Sequence, residues 1–167
     1  MIIKIIQGDI TTATADAIVN PANSYGTMSG GVALAIKRAG GASIEQAAKA
    51  HGLCPVGQAY STPAGQLSVR AIIHAPTMTH PAEPIPAKQV ELATTAALRL
   101  ADDSGFETVA LPGMGTGAGD VAVDEAARIM IETIAMYMVD QRLREVQLYA
   151  LTDELYQAFL KHYDAQS

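Results

Sequence analysis

Ala17-Ile18-Val19-Asn20-Pro21-Ala22-Asn23-Ser24-Tyr25-Gly26-Thr27-Met28-Ser29-Gly30-Gly31-Val32 sets the pattern for the whole chain. Ala17 to Val19 reads as a buried strand stopped by Asn20-Pro21. A loop containing glycine follows, and Gly30-Gly31 opens a helix in which Val32, Ala35, Ile36 and Ala39 share one face. Gly40-Gly41 closes that helix, as glycine commonly does at a helix C-terminus. The same order recurs at Thr108–Leu111 (strand), Pro112–Gly119 (glycine loop) and Val123–Met138. There Val123, Ala127, Met130, Ile131, Ile134 and Met138 form an amphipathic helical stripe. Working outward, strands are predicted over Ile2–Ile6, Ala59–Thr62, Val69–His74 and Glu145–Leu151. Helices are predicted over Ser43–His51, Ala87–Ala101 and Asp153–Tyr163. Pro76, Pro81, Pro84 and Pro86 make the stretch between them a loop. Strands alternating with helices imply an α/β fold with a mostly parallel sheet covered on both faces.

The composition agrees. The chain has 167 residues, about one domain's worth, with no repeat or linker, so residues 1–167 are expected to form one domain. Hydrophobic residues make up 49% and charged ones 17%, enough to fill a core and exclude disorder. Aromatics are 5% without tryptophan, which argues against a base-stacking single-strand binder. Eleven basic against seventeen acidic residues give a net charge of -6, which argues against reading a nucleic-acid backbone. A lone cysteine, Cys54, excludes a disulfide framework and a cysteine-rich metal site. The uncharged stretch from Ala17 to Ile36 is broken by Asn20, Pro21, Asn23 and glycines, so it is no membrane span. The chain opens Met-Ile-Ile-Lys without a signal-peptide pattern, and a cytoplasmic location is expected.

Each glycine loop follows an apolar strand and precedes a helix. Glycine lets the backbone turn its N–H groups toward a ligand, and the helix N-terminus behind adds partial positive charge. Neither loop contains Lys or Arg, so an anion there would be held by backbone amides. A diphosphate clamped between two loops at the C-terminal edge of an open α/β sheet is the simplest ligand geometry. Neither loop has the Lys-Ser or Lys-Thr pair of a Walker sequence, which disfavours ATP hydrolysis. Gly113, Gly115 and Ala118 match the loose dinucleotide fingerprint, so a nicotinamide dinucleotide-binding oxidoreductase is the alternative. That reading requires a carboxylate at the end of a second strand ~20 residues later, where the sequence is still helical.

Gly8-Asp9-Ile10-Thr11, Asp16 to Asn23, and Ser29-Gly30-Gly31-Val32 before a helix together resemble the opening of a macrodomain. The resemblance continues through Ile72-Ile73-His74-Ala75-Pro76 and Leu111-Pro112-Gly113-Met114-Gly115-Thr116-Gly117 to the last strand and helix. It implies a three-layer α/β/α fold with a mixed, mostly parallel central sheet. It also implies binding of ADP-ribose, free or attached to a protein or metabolite, with no metal or other cofactor. Some members of the family also hydrolyse ADP-ribosyl esters. By the same resemblance Asp9 accepts from the adenine amine, which suits an acceptor-only carboxylate, and Ile10 donates a backbone N–H. Asn23 holds the distal ribose and is the one candidate catalytic side chain, while Asn20 fixes a turn. Gly30, Gly31 and Val32 form the first phosphate loop, and Gly115, Thr116, Gly117, Ala118 and Gly119 the second. Leu151 either packs on the adenine face or is plain core at a strand end.

The sequence departs from the family pattern in three places. The hydrolytic branch carries an Asp after the glycine-valine step, where this chain has Ala33. Ser29 stands for a usual glycine of the first loop. Gly119 stands where an aromatic side chain often covers the distal ribose, so that side of the ribose is expected to lie open. Asp120 either reaches that ribose or caps the next helix. His51, His74, His80 and His162 have no zinc-type spacing, and His74 reads as structural. Cys54, followed by Pro55, has no activating base nearby in sequence.

Overall fold

The computed structural model describes residues 1–166. Its strands are β1 (Ile2–Gln7), β2 (Ala17–Asn23), β3 (Tyr60–Thr62), β4 (Ala71–Met78), β5 (Thr108–Leu111) and β6 (Glu145–Ala150). Its helices are α1 (Gly31–Gly40), α2 (Ser43–His51), α3 (Lys88–Asp103), α4 (Val123–Met136) and α5 (Asp153–Ala165), with a short 3-10 turn at Ile10–Thr12. The strands form one sheet in the order β1-β6-β5-β2-β4-β3. All neighbours are parallel except β3, which runs antiparallel to β4. The sheet is therefore mixed and mostly parallel.

Alternation along the strands sends side chains to opposite faces. Val19, Ile73, Leu111 and Leu148 face one way and meet Val90 of α3, Met130 of α4 and Phe159 of α5. Ile18, Ile72 and Ala110 face the other way and meet Ile36 of α1 and Ile44 of α2. Helices thus cover both faces, giving three layers. No helix among the described residues is long and apolar enough to cross a membrane.

Two strands run further than the sequence suggests. β2 continues through Asn20-Pro21 to Asn23, and β4 through Pro76 to Met78. β5 pairs with β2 only at Ala17 and Ile18, and β3 pairs with β4 only from Ile72 to His74. Beyond those points each strand is paired on one side alone, which is where a sheet tolerates proline. Their mutual pairing continues, with an irregularity between Ala22 and Asn23. Asn20 therefore holds no turn, and the loop expected from Pro76 begins after Met78.

Asp102, fully buried at the end of α3, organises the segment that leads into β6. Its carboxylate accepts backbone N–H groups from Asp140 (2.7 Å), Gln141 (3.1 Å), Arg142 (2.9 Å) and Leu143 (3.1 Å). Tyr137 adds its hydroxyl at 3.2 Å. Burial alone would raise the Asp102 pKa, but these backbone donors outweigh it and hold the group at about 2.

The order of the strands decides where a ligand can sit. The chain leaves β2 toward β4 by way of α1 on one face, and leaves β5 toward β6 by way of α4 on the other. β2 and β5 are neighbours, so their outgoing loops diverge and open a crevice above the strand ends. This is the topological switch point at which open α/β sheets bind ligands.

Candidate functional site

A cleft of about 700 Å³ opens at that point. It collects segments from the C-terminal ends of five strands: Gly8–Ile10 after β1, Asn23 of β2, Met78 of β4, Pro112–Gly113 after β5 and Leu151–Thr152 after β6. Both glycine loops line it, and no Lys or Arg among the described residues does.

The first loop ends in the N-terminus of α1. Ser29, Gly30, Gly31, Val32 and Ala33 all line the cleft, and their N–H groups have no acceptor among the described residues. The first helical bond outside this run is Leu34 N–H to the Gly30 carbonyl, at 3.2 Å. Gly31 has φ +57, a conformation that favours glycine. In the second loop, Gly115, Thr116, Gly117, Ala118 and Gly119 likewise line the cleft with N–H groups that have no acceptor among the described residues. Two runs of amides without a protein acceptor thus line one cleft, an arrangement that suits an anion without a basic side chain.

The first loop is held from outside the cleft. Glu45 of α2 accepts the Met28 N–H at 2.7 Å on one oxygen and the Lys37 ammonium at 2.8 Å on the other. The hydrogen bond from Lys37, then that from Met28, keep its carboxyl below its usual range. Asn23 lines the cleft but is engaged within the loop. Its Nδ2 donates to the Thr27 carbonyl (3.1 Å) and hydroxyl (2.7 Å), and its Oδ1 accepts from Tyr25 N–H (3.0 Å).

At the β1 and β6 end, Asp9 Oδ1 accepts both the N–H (2.9 Å) and the hydroxyl (2.8 Å) of Thr11. Among the described residues that leaves Oδ2 and the Ile10 N–H without a protein partner, an acceptor and a donor on adjacent residues. Leu151 is 77% exposed at the rim, so it is not core. Tyr149 and Glu154 also line this end. Among the described residues, Asp9 and Glu154 are the only acidic ones in the lining, and both belong to this end. The opposite end is bounded by Asn23, Thr27, Thr77, Met78, Pro81 and Ala82, none of which titrates near neutral pH.

Two expectations about the second loop fail. Gly119 does not leave an open side: it is buried, and a Cβ there would lie 3.1 Å from Ile85 Cγ1 and 2.9 Å from the Gly115 carbonyl oxygen. Ile85, from the proline-rich segment, occupies the space. Asp120 does not cap α4 either. The N-cap is Ala122, and Asp120 sits outside the cleft lining at φ +58 with its N–H bonded to the Gly117 carbonyl. The residues ~20 positions beyond Gly113 lie in α4, so no strand end supplies the ribose carboxylate that a dinucleotide oxidoreductase requires.

His74, Asn20 and Cys54 lie away from the cleft lining. His74 is fully buried, with Asn20 Nδ2 donating to its Nδ1 at 3.1 Å and Thr62 Oγ1 2.9 Å from its Nε2. Thr62 donates its own proton to the Pro63 carbonyl, so Nε2 of His74 carries the imidazole proton. His51, Tyr60 and His74 stack in a column, with centroid spacings of 3.9 and 4.9 Å. Burial, then the His51 charge, pull the His74 pKa down to about 4, so it is neutral and structural. Burial raises the Cys54 pKa, the reverse of what a nucleophile needs. Among the described residues, no group of three or more His, Cys, Asp or Glu is placed to hold a metal.

Glu45 and Ile85 escaped the sequence reading because nothing in their local sequence marks them. They act on the loops only through tertiary contacts. Tyr149 and Glu154 could have been found from alternation along β6 and from the first turn of α5.

Comparison with known proteins bears on this geometry. A family model described as Macro domain matches residues 19–130. An uncharacterized protein of Aquifex aeolicus is 48% identical over 161 residues, covering 96% of this chain and 97% of the relative. A protein of Enterobacter cloacae named O-acetyl-ADP-ribose deacetylase is 38% identical over 167 residues, covering 95% of this chain and 93% of the relative. The solved structure of the Oceanobacillus iheyensis macrodomain with ADP superposes with a TM-score of 0.86 at 25% identity, covering 97% of this chain and 90% of that one.

Proposed function

Because this chain belongs to the macro domain family, we propose that it acts as one macrodomain that binds ADP-ribose, free or attached to a protein or metabolite, in the cleft between its two glycine loops. The observation that carries this reading is the pair of amide runs, Ser29–Ala33 and Gly115–Gly119, lining one cleft with no basic side chain among its described lining residues. A diphosphate bridging them satisfies donors that would otherwise have only water. Asp9 Oδ2 accepts from the adenine exocyclic amine while the Ile10 N–H donates to the neighbouring ring nitrogen. Leu151 at the rim covers the base, and Asn23 and Thr27 border the distal ribose. The relatives named for ADP and for an ADP-ribose ester support the same ligand class.

Calorimetry with ADP-ribose, ADP and AMP tests this. Affinity should fall in that order, and Asp9→Ala should lose about 1–3 kcal/mol, the scale of a hydrogen bond to a charged group. No heat and no thermal stabilisation with ADP-ribose at millimolar concentration would refute the assignment.

The Enterobacter cloacae relative supports a second activity, hydrolysis of an ester on the distal ribose such as O-acetyl-ADP-ribose. The distal end of the cleft offers no carboxylate and Ala33 supplies none, so the attacking water would be positioned by loop amides and by the ligand's own phosphate. Missing general-base help costs about 10²–10⁴-fold, while orientation alone contributes several kcal/mol, so turnover should be slow but measurable. Acetate release compared between wild type and Asn23→Ala checks this. Equal rates would remove Asn23 from the reaction.

A further inference from the structure

The segment between β4 and α3 runs from one glycine loop to the other. At its start, the Ser24 N–H lies 3.1 Å from both the Met78 and Thr79 carbonyls, and the rings of Tyr25 and His80 meet at 5.5 Å. Pro81 and Ala82 then line the cleft. At its end, the Ile85 N–H donates to the Gly119 carbonyl at 3.0 Å. The Ile85 Cδ1 fills the space behind both glycines of the second loop, 3.3 Å from a Cβ built on Gly115 and 3.2 Å from one built on Gly119.

We propose that Ile85 is a positioning residue that sets preference for diphosphate ligands, holding the second glycine loop in the shape that turns its amides into the cleft. The inference rests on the ADP-ribose reading above and adds a residue that does not line the cleft. Parallel N–H groups repel one another, so a loop presenting Gly115 through Gly119 without acceptors has an incentive to rearrange. Its internal restraints are few: Val121 N–H to the Gly115 carbonyl, Asp120 N–H to the Gly117 carbonyl, and the Thr116 hydroxyl to the Gly113 carbonyl. Gly115 and Gly119 have no side chains to wedge the loop; Val90 and Val121 back Gly115 as well, but Ile85 reaches behind both glycines and ties one to the other. A monophosphate can be held by one loop, whereas a diphosphate needs both at a fixed separation. Loosening the second loop therefore penalises diphosphates more.

Ile85→Ala removes the wedge while keeping the Ile85 backbone bond to Gly119. Calorimetry on wild type, Ile85→Ala and Ile85→Val with ADP-ribose, ADP and AMP gives the readout, with thermal unfolding to establish that each variant is folded. We expect Ile85→Ala to weaken ADP-ribose and ADP by about tenfold, equivalent to ~1.4 kcal/mol, and AMP clearly less. Ile85→Val, which lacks only Cδ1, should fall between and guards against misfolding of the alanine variant. Equal loss for all three ligands, or no loss, overturns the role of Ile85 while leaving the ADP-ribose reading intact. A wild type that binds none of them overturns both.

Discussion

The Glu45 carboxylate accepts the backbone N–H of Met28 at 2.7 Å, so a side chain on α2 fixes the path of the first glycine loop. Its other oxygen takes Lys37 of α1 at 2.8 Å, tying together both helices that follow that loop. Met28 itself is fully buried, so its N–H has no water to turn to if Glu45 is lost. Glu45→Ala should weaken ADP-ribose binding and lower the unfolding free energy, by about 1–3 kcal/mol for an orphaned buried donor. Glu45→Gln keeps an acceptor for Met28 and should retain most of the affinity. Because the Glu45 pKa is lowered on folding, its contribution is present above its unfolded value and is lost as pH falls through the folded one. Calorimetry and thermal melts on the two variants distinguish the cases, and an alanine variant that binds as wild type would exclude Glu45 from shaping the loop.

Gly119 is enclosed by Ile85 and the Gly115 carbonyl, so an aromatic side chain there cannot cover the ribose without displacing the loop. Gly119→Phe should weaken ADP-ribose and ligands extended at the distal sugar alike. Overpacking of this kind typically costs about 1–3 kcal/mol. Titrating both ligands against both proteins checks the prediction, and tighter binding of free ADP-ribose by the variant would contradict it.

His74 gives the fold a pH dependence with a definite sign. Its folded pKa of about 4 lies below the ordinary value of 6.5, so between those limits the unfolded chain binds the extra proton. Stability should therefore decline as pH falls from about 6.5 toward 4, by about 3.5 kcal/mol at most at ~1.4 kcal/mol per pKa unit. Urea unfolding of wild type and His74→Gln across that range tests it. The variant starts lower, but its slope should be flatter, and parallel curves would assign the dependence elsewhere.

Asp102 offers a test of stability separate from the cleft. It ends α3 just before β5 begins, at the sheet edge opposite the glycine loops, and its carboxylate carries the Asp140–Leu143 backbone. Asn presents an NH2 group toward those N–H donors. Asp102→Asn should therefore destabilise by about 2–3 kcal/mol, the scale of hydrogen bonds to a charged group, while the folded protein keeps its ADP-ribose affinity. Chemical denaturation paired with calorimetry measures both, and a parallel loss of affinity would show that the two edges are coupled.

The local order of apolar runs, glycines and prolines determined the α/β class, nearly every element and the position of both glycine loops. Strand alternation, helical periodicity and glycine freedom act over a few neighbouring residues and are therefore legible in the chain itself. The candidates from Asp9 to Leu151, all of which line the cleft, were legible for the same reason, because they lie at or after the C-terminal ends of strands. What only the tertiary structure decided is which neighbour each element meets. Pro21 and Pro76 sit inside strands because those strands are paired on one side alone at that point. Gly119 is closed rather than open because Ile85, 34 positions earlier in the numbering, packs against it. Glu45 serves the first loop because α2 folds back over it. Contacts between segments distant in sequence depend on how the layers close, and no local pattern records that.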